Sequence, residues 1–312
     1  MFESIKRILA LRTDNKRRLK RISFLFEGGY YIFWRDKICK FNRSNIKAIG
    51  LIKSLFFFYH ISKKERKEEC LTDAKVLSGS FKHAVITESD CFLVFKERQA
   101  YYSAKKNYNE NIDRFNYPCV RPTSFCDDLY YIKEPKASGR PLTTEDLPLL
   151  LKTLLLLFGK QEFVRRDGDG VLFYVQHDDA LPGNSWSDER GELFFVDIDN
   201  ITERAALSDF FNVILRSFGF DYLLKSAKTF ENELKEAFRK HDVEYNESIF
   251  DLYLSKFIEM RISSVRSGYN NGILYKSIEW ILDPVVEKIF PMTNEIIKKY
   301  KFTLTADGYK VE

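Results

Sequence analysis

With 312 residues and 45% apolar content, the chain can bury a substantial core, which excludes a disordered polymer and fits one large domain or two ordinary ones. Its five cysteines (Cys39, Cys70, Cys91, Cys119, Cys126) are odd in number, widely spread and without a C-x-x-C pair, which excludes a disulfide framework or zinc knuckle and suits a reducing compartment. Charge is unevenly placed: residues 1–68 hold 18 Lys and Arg against 6 Asp and Glu, a net of +12, so the total of +5 leaves −7 on the remaining 244 residues.

The start, MFESIKRILALRTDNKRRLKR, places Phe2, Ile5, Ile8 and Leu9 at helical spacing ahead of a basic run, with no apolar core of signal-peptide length. It reads either as a solvated helix and turn or as a segment drawn to an anionic membrane surface or a phosphate-rich polymer. Residues 22–34 read as two short strands around Gly28-Gly29, a hairpin signal. A helix is expected from Ser44 to about Cys70. Its apolar run at 48–61 is 14 residues long and interrupted by Lys53, whereas a membrane span needs about 20. KVLSGS, KHAVITE and CFLVFKE then read as three short strands, followed by a polar helix from Arg98 to about Arg114. Two further strands, CVRPTSF and LYYIKE, lead to the connector PKASGRP. Thr144-Glu145-Asp146 opens the helix LPLLLKTLLLLFGKQ, whose Pro148 is tolerated in the first turn. The runs VLFYV and ELFFVDI read as a hairpin flanking an acidic stretch, and the pattern from about Arg204 onward is predominantly helical.

Within that stretch, His177, Asp179 and Asn184 spell H-x-D-x-x-x-x-N, and Asp197 follows at the end of the next apolar run. Carboxylates repel one another and resist burial, so such a cluster is a solvated loop or a cation site. Phosphoryl transfer from ATP requires these residue types: one carboxylate to take the proton of the attacking hydroxyl, and a neutral oxygen with a second carboxylate to hold Mg2+ on the phosphates. Asp179 suits the first role, Asn184 and Asp197 the second, and His177 that of a structural brace.

These residues resemble the catalytic loop and metal-binding turn of the protein-kinase-like superfamily, in particular its aminoglycoside phosphotransferase and choline-kinase branch; V-D-I-D-N is similar to that branch's I-D-x-x turn. The resemblance covers about residues 71–220. It implies a nucleotide-covering loop at LSGSFKHAV, with backbone donors at Gly79 and Ser80. It further implies Lys96 on the α- and β-phosphates with Glu110 as its partner, and an inter-lobe hinge whose backbone around Lys133 and Glu134 meets adenine. Asp199 becomes a further metal ligand or its support, and Asp209 a brace of the catalytic loop. The sequence departs from the family pattern in three places. The nucleotide loop has one glycine, Asp178 stands where arginine or glycine is common, and Glu110 falls late in its helix.

The expected fold is therefore α+β, a bilobal protein-kinase-like fold with a small β-rich N-lobe (71–135), a larger and mainly helical C-lobe (136–312) and a basic N-terminal extension (1–70). The short VDIDNITERAALSDFF passage lacks room for a long activation segment, which favours a small molecule or glycan over a protein acceptor. The layout of the first 70 residues also resembles bacterial lipopolysaccharide-core heptose kinases. The expectation is thus an ATP- and Mg2+-dependent kinase of a sugar hydroxyl on lipopolysaccharide core or a related surface glycan. It would be cytoplasmic and peripheral on the inner membrane face, with a glycolipid acceptor, an anionic membrane surface as partner and no nucleic acid. The alternatives are a soluble kinase of choline, an aminoglycoside or a similar alcohol, and a catalytically silent kinase-like binding protein.

Overall fold

A computed structural model describes residues 25–26, 29–34, 37–42, 75–78, 82–86, 89–95, 98–127, 130–219, 221–266, 289–300, 302–305 and 308–311. The chain forms two compact units, residues 1–106 with 120–137 and residues 107–119 with 138–312. The helix expected from Ser44 to Cys70 lies outside the described residues.

In the first unit, β1 (Leu25–Phe26), β2 (Gly29–Trp34) and β3 (Lys37–Asn42) form an antiparallel sheet. Leu25 pairs with Tyr30 and Phe26 with Gly29, the antiparallel pairing expected of the hairpin, and β3 adds a strand that the pattern did not announce. A second sheet is five-stranded, in the order β4 (Lys75–Ser78), β5 (Lys82–Ile86), β6 (Asp90–Phe95), β8 (Tyr131–Pro135), β7 (Ser124–Cys126). All its pairings are antiparallel. Four consecutive residues of β6, Phe92 to Phe95, are buried, the mark of a strand covered on both faces. They pack with Tyr101 and Ala104 of helix α1 (Arg98–Asn111) and with Tyr130 and Ile132. Tyr101 donates its hydroxyl to Asp127 Oδ1 at 2.6 Å and Lys105 Nζ adds a bond of 2.7 Å, which ties the helix to the turn between β7 and β8.

The second unit holds the larger core. Helix α2 (Leu147–Lys160) buries Leu147, Leu150, Leu151, Leu154, Leu155 and Phe158, a stripe at helical spacing. It packs around β11 (Leu172–Gln176), all five residues of which are buried. Helices α3 (Ser208–Ser217), α4 (Asp221–Thr229), α5 (Glu231–Arg239), α6 (Glu247–Arg266) and α7 (Pro291–Lys298) complete the unit. The Tyr253 hydroxyl of α6 accepts the Leu172 N–H at 3.0 Å, and Asp251 accepts the first N–H groups of α7 from Met292 (2.7 Å) and Thr293 (3.1 Å).

The strand pairing differs from the sequence expectation in three ways. VLFYV and ELFFV do not form a hairpin with each other: β11 lies between β10 (Arg165–Arg166) and β14 (Thr202–Ala205). The second run, β13 (Leu193–Phe195), pairs with β12 (Ser185–Ser187). A local turn explains the exchange, because Asp188 Oδ1 accepts the N–H groups of Arg190 and Glu192 and Gly191 takes φ 82°, chemistry that closes a tight hairpin. The connector also supplies an edge strand, β9 (Arg140–Pro141), against β12. The chain ends in an antiparallel pair, β15 (Phe302–Thr305) and β16 (Gly308–Val311), where helix was expected. Among the described residues no helix is long and apolar enough to cross a membrane.

Candidate active site

The H-x-D-x-x-x-x-N loop leaves the end of β11 and is held at each of its first three residues. His177 is fully buried; its N–H donates to Asp209 Oδ2 at 2.9 Å, and its Nε2 lies 2.8 Å from the Val196 carbonyl. A carbonyl only accepts, so Nε2 carries a proton and the ring braces the loop against the approach to Asp197. Asp178 adopts φ 62°, a left-handed conformation that asparagine and aspartate tolerate better than other side-chain-bearing residues. Its carboxylate takes two bonds from Arg204 (Nε 3.1 Å, Nη2 2.8 Å) and one from Arg261 (3.0 Å), and its carbonyl accepts from Asn212 at 3.2 Å. Asp179 accepts Arg216 Nη1 on Oδ1 at 2.6 Å and Asn184 Nδ2 on Oδ2 at 3.0 Å.

The β12–β13 hairpin brings the second half of the motif to the same place. Asn184 immediately precedes β12, and its carbonyl accepts the Val196 N–H at 2.9 Å. Asp197 therefore follows directly, in a left-handed conformation (φ 64°) that starts a short 3₁₀ turn, Ile198–Asn200. Asp199 in that turn is buried. Since the Asn184 amide nitrogen is committed to Asp179, both to the backbone oxygen and to the side chain, its Oδ1 is directed elsewhere. Among the described residues no three His, Cys, Asp or Glu side chains gather into a metal cluster. Asn184 Oδ1 and the carboxylates of Asp197 and Asp199 are oxygen donors of the type Mg2+ takes, since it is bound through one or two carboxylates and keeps its remaining positions for water and phosphate oxygens.

Electrostatics separate the carboxylates. Burial raises the pKa of Asp179, Arg216 and His177 oppose that rise, and the negative charges of Asp197 and Asp178 add to it. Asp209 is fully buried and pushed up to about 6, chiefly by desolvation, with His177 and the Tyr117 hydroxyl pulling in the other direction. Its own N–H donates to Gln176 Oε1 at 3.0 Å, and Gln176 Nε2 donates to the Ala205 carbonyl at 2.7 Å. The bracing aspartate is thus itself braced from the end of β11.

Other expected site residues fall elsewhere. Gly79, Ser80 and Lys96 lie outside the described residues, and with Lys96 so does its pairing with Glu110, which is exposed in the last turn of α1. Lys133 and Glu134 sit in β8. Lys133 pairs with Phe92 on one side and Ser124 on the other, and its carbonyl accepts the Thr123 N–H at 2.8 Å. Its Nζ is 3.5 Å from Asp90 Oδ2, while Glu134 is buried. The strand ladder takes up this stretch of backbone, and the chain leaves the sheet only after Pro135.

Arg204, Asn212, Arg216 and Arg261 escaped sequence reasoning. For Arg204 and Arg261, which lie 26 and 83 residues from Asp178, no local signal existed. For the others one did: Asp209, Asn212 and Arg216 stand at i, i+3 and i+7 in SDFFNVILRS, a polar stripe on one face of α3 whose intervening residues are apolar.

No protein-family model matches the chain and no curated protein matches it. Solved structures do align. A choline/ethanolamine kinase family protein from Mesorhizobium loti aligns at 9% identity and a TM-score of 0.44, over 71% of this chain and 92% of that one. Choline kinase LicA from Streptococcus pneumoniae aligns at 10% identity and 0.42, over 78% and 97%. APH(2'')-IIa in its ternary complex with streptomycin and ATP aligns at 11% identity and 0.41, over 77% and 97%.

Proposed function

We propose that the chain is an ATP- and Mg2+-dependent phosphotransferase acting on an alcohol. The observation that carries this reading is the mutual placement of Asp179 and Asn184. They are bonded to each other on a loop pinned by Asp209 and joined through Asn184 to the strand end that presents Asp197. Asp179 accepts the proton of the acceptor hydroxyl as that oxygen bonds to the γ-phosphorus and the bond to the bridging oxygen breaks, releasing ADP. Asn184 orients Asp179 through its amide nitrogen, and its carbonyl oxygen, with Asp197 and Asp199, would hold the cation. Bound Mg2+ supplies charge neutralisation on the phosphates. On the nucleotide side the reading assigns Lys96, with Glu110, to the phosphates and the backbone at Gly79 and Ser80 to their cover. Adenine falls to the backbone that follows Lys133 and Glu134.

The acceptor we propose is a sugar hydroxyl on lipopolysaccharide core or a related surface glycan. Two features support a glycan over a protein acceptor. Only a 3₁₀ turn and the four-residue β14 separate Asp197 from α3, too little chain for a protein-docking segment. The net +12 of residues 1–68 suits a phosphate-bearing glycolipid at an anionic membrane surface on the cytoplasmic side. The test is transfer of radiolabel from γ-labelled ATP with Mg2+ to lipopolysaccharide core, compared with choline and an aminoglycoside. Label in the core fraction, lost in Asp179→Asn, supports the reading. Label in choline or aminoglycoside alone overturns the acceptor, and no transfer to any alcohol overturns the enzyme.

A further inference from the structure

Both carboxylate oxygens of Asp179 are occupied. Asn184 holds Oδ2 at 3.0 Å and also bonds the Asp179 backbone oxygen at 3.0 Å, a double contact that fixes it in place. Oδ1 is held by a single bond from Arg216 Nη1 at 2.6 Å, and that pair is open to solvent, with side-chain exposures of 31% for Arg216 and 33% for Asp179. A carboxylate oxygen has two acceptor positions, so an acceptor hydroxyl can reach the exposed Oδ1 either beside Arg216 or in its place. The single-point contact to Arg216 is the one that can yield to it.

A guanidinium released from a carboxylate is either hydrated or taken up by another anion. It is permanently charged, carries N–H donors arranged as a fork, and matches phosphate oxygens as well as it matches carboxylates. Among the described residues Asp179 is the only hydrogen-bond partner of the Arg216 guanidinium, through one of those donors. Of the other two guanidiniums of this loop, Arg204 gives two bonds to Asp178 and one to the Glu203 carbonyl, and Arg261 gives one to Asp178 and lies over the Phe257 ring, 5.2 Å from its centroid. Of the three, Arg216 is the one bonded to Asp179, on the oxygen where the acceptor arrives, and it does so through one donor with the others to spare.

We propose that Arg216 is a phosphate-binding residue of the reaction, exchanging its bond to Asp179 Oδ1 for a phosphate oxygen when the acceptor hydroxyl takes that position. This rests on the phosphotransferase reading above. The phosphate oxygen belongs either to the γ-phosphoryl group in transfer or to a phosphate already carried by the acceptor. Either way, the same positive charge beside the base disfavours a cationic acceptor such as choline or an aminoglycoside.

Wild type, Arg216→Lys and Arg216→Gln are compared as full chains. Thermal shift is measured with Mg-ADP and with Mg-ADP plus aluminium fluoride, a mimic of the phosphoryl group in transfer. Kinetics are measured with a hexose and the corresponding hexose phosphate. If the transferred phosphoryl is the partner, Arg216→Gln keeps its Mg-ADP shift and loses the added aluminium fluoride shift. Its kcat then falls for both sugars, roughly ten- to a hundredfold, as for one lost charge-assisted hydrogen bond. If the acceptor's phosphate is the partner, the aluminium fluoride shift persists and KM rises by a similar factor for the hexose phosphate alone. Arg216→Lys recovers part of either loss, which separates charge from folding. Arg216→Gln that equals wild type in the aluminium fluoride shift, kcat and KM overturns the role of Arg216 while leaving the phosphotransferase standing. Absence of any shift in wild type, with Mg-ADP or with added aluminium fluoride, overturns the phosphotransferase itself.

Discussion

Replacing Asp178 with alanine removes two supports of the catalytic loop at once, and they can be separated by experiment. The carboxylate takes three bonds from Arg204 and Arg261 at side-chain exposures of 14% for Asp178, 27% for Arg204 and 21% for Arg261. Breaking a fully buried pair from one side costs about 3–5 kcal/mol, and an exposed pair contributes roughly 0–1 kcal/mol. A cluster this shielded falls between, at about 2–3 kcal/mol. The left-handed backbone, φ 62°, adds about 1 kcal/mol for alanine, a penalty that glycine does not incur. Urea unfolding of the full chain should therefore give Asp178→Ala a loss of about 3–4 kcal/mol. Asp178→Gly should be about 1 kcal/mol less damaging despite its greater backbone entropy. Asp178→Asn, which keeps the tolerated backbone and loses the charge, should fall between Gly and wild type. Asp178→Ala within about 1 kcal/mol of wild type, or Gly no better than Ala, would refute the argument.

Three further outcomes follow from the described contacts. Asp209 holds its proton up to about pH 6 in the folded protein, against 3.8 ordinarily. Between those values the native state binds more protons than the unfolded one, so this group's contribution is full below pH 3.8 and is lost as pH rises through 6, by about 3 kcal/mol. Asp209→Asn should erase that downward slope while its amide oxygen still accepts the His177 N–H; parallel stability curves for the two proteins between pH 4 and 6.5 would contradict the burial argument. Asp251→Ala strands the Met292 and Thr293 N–H groups at the start of α7 and should cost about 2–4 kcal/mol in urea unfolding, whereas a change below about 0.5 kcal/mol would show that water replaces it. A Cβ on Gly139 would collide with the Ser187 carbonyl oxygen, at a φ of +129° that side-chain-bearing residues rarely adopt; Gly139→Ala should lower the melting temperature by several degrees, while Gly170→Ala, also at positive φ but in open space, should lower it less.

How much of this was legible in the sequence depended on the range of each interaction. Helices α1 and α2 and the buried strands β6 and β11 are long or apolar enough to carry their own periodicity, and they lie where the pattern put them. The motif residues Asp179 and Asn184 could be singled out because they lie five positions apart on one loop, close enough to bond to each other. The partner of β11 was misread because β14 has only four residues, TERA, whose composition favours helix; it is a strand through its pairing with β11, a tertiary override of local preference. The closing pair β15–β16 carries a signal in Asp307-Gly308, a turn dipeptide between alternating residues, that the predominantly helical pattern before it masks. The Arg204–Asp178–Arg261 cluster joins residues up to 83 positions apart, and composition holds no trace of it.

The most direct test of the central claim is a thermal-shift titration with ATP and Mg2+ on wild type, Asp179→Asn and Asp197→Asn. The phosphotransferase account predicts a Mg2+-dependent rise in melting temperature in wild type and in Asp179→Asn, whose base is lost but whose nucleotide site remains, and a weakened rise in Asp197→Asn. No rise in wild type at millimolar ATP, or an equal rise in Asp197→Asn, would contradict it.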